Sequence, residues 1–212
     1  MGWFDIAVAS LTNLVCMEPK AKPHPLEVPA DATVPQRHPD APAPGEEIAS
    51  HYSYCFGCGV DHPTGLHMRM TARDGMHVTA VFEITDSHQG APGIGHGGLL
   101  GLACDEALGA TNNLINVPAV TAHLEVSYRA PVPVGSKVFI DAFIVAMRGR
   151  KIWATAEGRL NSPDGQIAVV AKSLFMQVPI EHFIKYGRPE DVAAASNDPH
   201  VLNHVNRLDI AP

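Results

Sequence analysis

A short segment of this chain places backbone donors and a carboxylate where they could do chemistry. In HGGLLGLACDEALGATNNL (residues 96–114) the apolar residues recur with a helical period, which predicts a helix opening near Gly97. The first turn of such a helix has N–H groups with no intrahelical acceptor, at the positive end of the helix dipole. That suits the oxyanion that develops when a carbonyl carbon is attacked. The preceding loop, residues 90–95, carries too little bulk to block the approach. Asp105 follows Gly97 by eight residues and is the candidate base. At that separation it stands roughly 12 Å further along the axis, too far to serve a carbonyl held at its own helix N-terminus. A catalytic Asp105 must therefore serve a second, antiparallel helix, which in a one-domain chain means a symmetry-related subunit.

At 100° per residue, Leu100, Ala103, Cys104, Ala107, Leu108 and Thr111 fall on one stripe, the face expected against the core. Gly98, Gly101, Asp105, Gly109 and Asn112 fall on the other side. Glycine costs a helix about 1 kcal/mol relative to alanine, so three on one face call for a reason. Two readings are open: another helix or a ligand approaches closely, or the glycines let the helix lie close to its own sheet.

The elements that must position this helix are legible around it. Residues 76–85 (MHVTAVFEIT) read as a strand. After the helix come four β-rich runs, 119–130, 136–148, 151–161 and 166–179, separated by turn signals at 133–135, 148–150 and 162–165. One helix followed by a strand meander with short connections predicts an α+β domain, an antiparallel sheet wrapped around one long central helix. That domain is expected over residues 49–182. Before it, eight prolines within residues 19–44 predict an extended linker over 19–48. The linker ties on an apolar segment, residues 1–18, that could form one helix. Residues 183–212 read as a polar tail with at most a helical turn or two.

Composition narrows the function. The formal charge is −7 and the 15 Lys and Arg residues are scattered, so neither a nucleic-acid surface nor a polybasic membrane anchor is expected. No run of 18 apolar residues is present, and the first 16 residues lack the leading positive charge of a secretory signal. Four cysteines are too few and too unevenly placed for a disulfide framework, which points to a reducing, cytoplasmic location. No G-x-S-x-G nucleophile elbow occurs. His51, Cys55, Cys58 and His62 have side chains that zinc accepts, but all four crowd into twelve positions, so the pattern is read as a structural turn and no metal is expected.

The segment QGAPGIGHGGLLGLACDEALG resembles the helix signature of hotdog-fold acyl-CoA thioesterases, especially the subfamilies similar to thioesterase superfamily member 4 and the phenylacetyl-CoA-type enzymes. CFGCG (residues 55–59, with Gly65 following) and VTAHLEVSYRAPVPVG (residues 120–135) extend the resemblance. It implies hydrolysis of an acyl-CoA by a homodimer, or a dimer of dimers, without a cofactor. By the same resemblance Gly97 supplies the oxyanion N–H with Gly98 beside it at the substrate. His96 orients the carbonyl or the loop, Asp105 activates water or attacks the carbonyl, and Thr121 steers the water. Strand alternation predicts that His123 and Glu125 share a face with Thr121, so that His123 joins the site. Relatives often carry Asn six residues before the His; this chain has Gly90 there, leaving Gln89 as the candidate second carbonyl contact. Arg148, Arg150 and Lys151, in a turn between two long strands, could meet the coenzyme A phosphates. A non-catalytic acyl-CoA-binding protein, or an enoyl-CoA hydratase or dehydratase using His88 or His96, are the alternative readings.

Overall fold

A computed structural model describes residues 23–206 and Leu208; the expected N-terminal segment 1–18 lies outside the described residues. The chain builds a seven-stranded sheet in the order β1-β2-β3-β7-β8-β9-β6, with every neighbouring pair antiparallel. Its strands are β1 (Glu47–Ile48), β2 (Arg69–Ala72), β3 (His77–Glu83), β6 (Ala119–Tyr128), β7 (Lys137–Arg148), β8 (Lys151–Leu160) and β9 (Ile167–Gln177). Two very short strands, β4 (Gln89–Ala91) and β5 (Ile94–Gly95), form a separate hairpin ahead of α1 (Gly97–Ala110). The sheet wraps α1, which packs on β3, β6, β7, β8 and β9. This is the hotdog fold.

Hydrophobic pattern explains both layers. In β7 the inward positions Val138, Ile140, Ala142 and Ile144 are buried and alternate with more accessible neighbours. The predicted helix stripe is likewise buried: Leu100, Ala103, Cys104, Ala107, Leu108 and Thr111 are each at most 3% exposed. The sheet does not account for the glycines on the other side of the helix. A Cβ on Gly101 would sit 3.7 Å from Val126 and from the Tyr128 hydroxyl, and one on Gly109 3.9 Å from Phe175. These are ordinary contact distances, so packing of α1 on its own strands does not by itself require glycine at either position.

The described part of the Pro-rich segment passes through turns closed by Glu27 N–H to the His24 carbonyl, Ala32 N–H to that of Pro29 and Ala41 N–H to that of His38, and it is strapped onto its own domain. The Trp153 indole N–H donates to the Pro25 carbonyl at 3.0 Å. Thr33 and Met147 exchange two backbone hydrogen bonds of 3.1 and 2.7 Å. Arg37 donates to the carbonyls of Arg73, Gly75 and Pro42.

The expectation of a nearly structureless tail does not hold. Three short helices follow the sheet: α2 (Glu181–Tyr186), α3 (Pro189–Ala195) and α4 (Pro199–Val205). Proline opens α3 and α4, and Asp198 caps α4 by accepting from the His200 N–H at 2.8 Å. The other Asp198 oxygen accepts from the Ser53 N–H at 2.9 Å, which ties the helices to the loop before β2.

Candidate active site

Asp105 sits midway along α1, half-buried, and Thr121 near the start of β6 donates its hydroxyl to Asp105 Oδ1 at 2.8 Å. Burial raises the Asp105 carboxyl above its ordinary pKa, and the Thr121 hydrogen bond draws it partly back. With its proton committed to the carboxylate, the Thr121 oxygen keeps lone pairs to accept from a water. Both residues line a groove of 1060 Å³, large enough for a sizeable ligand. Its walls come from the loop before β2 (Tyr52, Tyr54), from Phe175, and from Phe183, Val192, Val201 and Leu208 of the C-terminal segment. Those last residues were not legible as site residues in the sequence. The signal that could have found them was a pair of helix starts, Arg-Pro-Glu-Asp at 188–191 and Asp-Pro-His at 198–200.

The N-terminus of α1 is built as follows. His96 is the N-cap and its Nδ1 accepts from the Gly98 N–H at 2.9 Å, so one of the first-turn donors is committed. The Gly97 N–H meets no acceptor among the described residues. On the other side of Gly97, its carbonyl accepts from the Tyr128 hydroxyl at 2.8 Å, pinning the helix start to the far end of β6. Thr121 and Tyr128 therefore mark opposite ends of one strand, with Asp105 at one end and Gly97 at the other.

Three expectations are corrected by the geometry. His123 does not join Thr121. The β6–β9 register slips between Thr121, which faces Phe175, and His123, which faces Leu174, so a bulge at Ala122 turns His123 to the other side of the sheet. There its ring packs edge-on against His24 of the strap, 5.6 Å between centroids, and Glu125 pairs with His24 at 2.9 Å. Gln89 is not available for a carbonyl: its side-chain oxygen accepts from the Gly93 N–H at 2.7 Å and its amide donates to the Asp86 carbonyl at 3.1 Å. His88 is buried, with Nδ1 accepting from the Thr85 N–H at 3.1 Å, a poor placement for acid–base work on a substrate.

The turn cations lie at the sheet end that holds Thr121, since Thr121 pairs with Phe175 and Phe175 with Ile152. Arg148 pairs with Asp31 of the strap at 3.0 Å, and Arg150 Nε donates to the Gln177 carbonyl at 2.9 Å. Lys151 is exposed.

Glu106, next to Asp105, lines the same groove and reaches the loop that carries Cys55 and Cys58. Burial pushes its carboxyl up to about 7. The two thiols titrate as a pair: hydrogen bonding between them holds Cys55 below the ordinary thiol range and drives Cys58 above it. His62, the fourth member of the sequence pattern, stands apart, its ring packed on Phe56 at 4.7 Å.

The chain is similar to known proteins over part of its length. Residues 92–166 match the sequence model of the thioesterase superfamily. The chain is 31% identical over 90 residues to the acyl-coenzyme A thioesterase THEM4 of Xenopus laevis, covering 42% of this chain and 40% of that protein. It is 34% identical over 71 residues to the Bos taurus protein of the same name, covering 34% and 29%. The chain thus spans well under half the length of these curated relatives. Among solved structures, one thioesterase superfamily protein superposes with a TM-score of 0.55 at 25% identity, over 65% of this chain and 70% of that one. Zebra fish thioesterase superfamily member 2 superposes with a TM-score of 0.50 at 16% identity, over 57% and 87%, and shares the fold. The chain therefore carries a hotdog-fold domain whose residues 92–166 are similar to the thioesterase superfamily.

Proposed function

We propose that this protein hydrolyses the thioester of an acyl-CoA, giving the free acid and coenzyme A. The observation that carries the reading is the half-buried Asp105 carboxylate, held by the Thr121 hydroxyl at 2.8 Å on the wall of a 1060 Å³ groove. Water held by Thr121 loses its proton to Asp105 as its oxygen attacks the thioester carbonyl. The resulting oxyanion is met by a Gly97 N–H and the positive end of the helix dipole. Collapse expels the CoA thiolate, a leaving group that needs no prior protonation, so no metal or cofactor enters the reaction. The THEM4 relatives, named as acyl-coenzyme A thioesterases, support the same substrate class.

The Gly97 that serves Asp105 belongs to a second copy in this reading. Eight helical residues put a chain's own Gly97 about 12 Å from Asp105. Among the described residues β6 is an edge strand of ten residues, paired only through β9 and exposed at many positions. Such an edge invites pairing. Two β6 edges related by a twofold axis would run antiparallel and bring two α1 helices side by side in opposite directions, N-terminus to middle. Asn112, on the same side of the helix as Asp105, has a buried amide oxygen with no donor among the described residues, which fits a face completed by a partner.

Thiol release from short, medium, long and aromatic acyl-CoA esters tests the activity, with wild type and Asp105→Ala side by side. Turnover by the wild type that the variant loses is the expected result. Tight binding of CoA esters with no turnover would replace this reading with that of an acyl-CoA-binding protein.

A further inference from the structure

We infer that His51, Cys55, Cys58 and Glu106 form a closed four-ligand zinc site that fastens the loop before β2 to the central helix. One ligand atom from each of the four lies within 4.8 Å of all the others. The individual approaches are 3.3 Å between Cys58 Sγ and His51 Nδ1, 3.4 Å between Cys55 Sγ and Glu106 Oε2, and 3.8 Å between His51 Nδ1 and Glu106 Oε1. A tetrahedral zinc ion with bonds of about 2.3 Å to sulfur and about 2.0–2.2 Å to nitrogen or oxygen has ligand–ligand edges of roughly 3.3–3.8 Å. Three approaches thus already fall in that range, the two made by Glu106 through different carboxylate oxygens, and one ligand atom from each of the four lies within 4.8 Å of the others, close enough for small side-chain rotations to complete the set. Two thiolates, an imidazole and a carboxylate are ligands suited to zinc, and four protein ligands leave no open position, the mark of a structural site.

The local backbone is shaped for this convergence. A Cβ on Gly57 would lie 2.5–2.6 Å from the Glu106 side chain, so only glycine there admits the carboxylate to the two thiols. A Cβ on Gly59 would lie 2.4–2.5 Å from backbone atoms of Ser53 and Cys55, so glycine also permits the tight return of the Cys-x-x-Cys turn. The turn itself is closed by the Gly59 N–H donating to the Cys55 carbonyl at 2.8 Å. Read along the chain, four ligands within residues 51–62 looked too crowded to hold a metal. The fold removes that objection by setting His62 aside and bringing Glu106 from α1, 48 residues beyond Cys58. Zinc there would be structural: it would join the Tyr52 and Tyr54 wall of the groove to the helix that carries Asp105, without itself touching the reacting atoms.

The test uses the full chain, purified under reducing conditions from zinc-supplemented cells, with metal measured by plasma mass spectrometry. About one zinc per chain is expected. Stripping it should expose two thiols to a colorimetric reagent, and adding Co²⁺ to the stripped protein should give the intense near-ultraviolet thiolate-to-cobalt absorption and visible bands of a tetrahedral ion. Glu106→Gln and Cys58→Ser should lose the metal, and His62→Ala should keep it. Two results would overturn the site. One is no zinc together with no cobalt absorption in the reduced wild-type chain; the other is a Cys55–Cys58 disulfide, two mass units lighter, in protein isolated without reductant. The cobalt titration needs no variant, so a substitution that fails to fold leaves the test intact.

Discussion

Thr121 on a strand and Asp105 on the central helix are joined by one 2.8 Å hydrogen bond, with the hydroxyl donating. The pair predicts a specific mutant pattern. Asp105→Asn keeps the shape and removes the base, and turnover should fall by about 10²–10⁴-fold with little change in KM. Thr121→Val keeps the β-branched packing and removes the hydroxyl, and the fall should be smaller, about 10-fold to 100-fold. Because both residues act on one water, the double variant should resemble Asp105→Asn alone rather than the product of the two losses. Steady-state kinetics of thiol release decide this; multiplying losses would mean the two residues act separately.

The distance along α1 predicts that two inactive variants can rescue one another. Gly97→Pro removes the N–H at the first helical position, where proline is well tolerated, and His96 before it already has extended backbone angles, φ −68° and ψ 128°. This variant should fold and lose about 10²–10³-fold in turnover. Mixed with Asp105→Asn after reversible dissociation, it should regain up to about a quarter of wild-type activity. Random pairing makes half the dimers mixed, each with one intact site of two. No recovery in a verified mixed dimer would place the donor and the base in the same chain.

The strap predicts a stability effect remote from the groove. Trp153→Phe removes the indole N–H that binds the Pro25 carbonyl at 3.0 Å. The expected cost is about 1 kcal/mol, a lowering of the melting temperature by roughly 2–4 °C in a protein of this size. Proteolysis within residues 23–46 should quicken in parallel. An unchanged melting temperature with unchanged cleavage would show that the strap contributes nothing to the domain it covers.

These outcomes also mark where sequence reasoning reached and where it stopped. The α1 stripe from Leu100 to Thr111 and the four strands after it were legible because burial imposes periods of 3.6 and 2 that the side chains must obey. The misplacement of His123 came from the same rule: alternation assumes an unbroken period, and the bulge at Ala122 breaks it within the stretch being read. Glu106 was invisible as a neighbour of Cys55 because their contact is tertiary, made across 51 residues. The strap shows a similar limit. Proline content predicts that residues 19–44 are extended, but only the fold reveals the turns within them and that Trp153, 128 residues after Pro25, holds the strap down.

Gly90 stands where related sequences often have Asn, and the structure indicates that this Asn cannot simply be restored. A Cβ at Gly90 would lie 2.8 Å from the Cα of His96 and 2.9–3.0 Å from its side chain. The 2.8 Å approach to Cα is one that real Cβ atoms essentially never make, and a backbone atom cannot swing away. Gly90→Asn should therefore push the β4–β5 hairpin off the start of α1, costing about 1–3 kcal/mol. It should also disturb the His96 cap, whose Nδ1 must stay 2.9 Å from the Gly98 N–H. Turnover should fall rather than rise, with thermal denaturation reporting the lost stability in the same samples. A Gly90→Asn variant that is as stable as wild type and faster would mean that the hairpin can yield, and that the introduced amide contacts the substrate carbonyl.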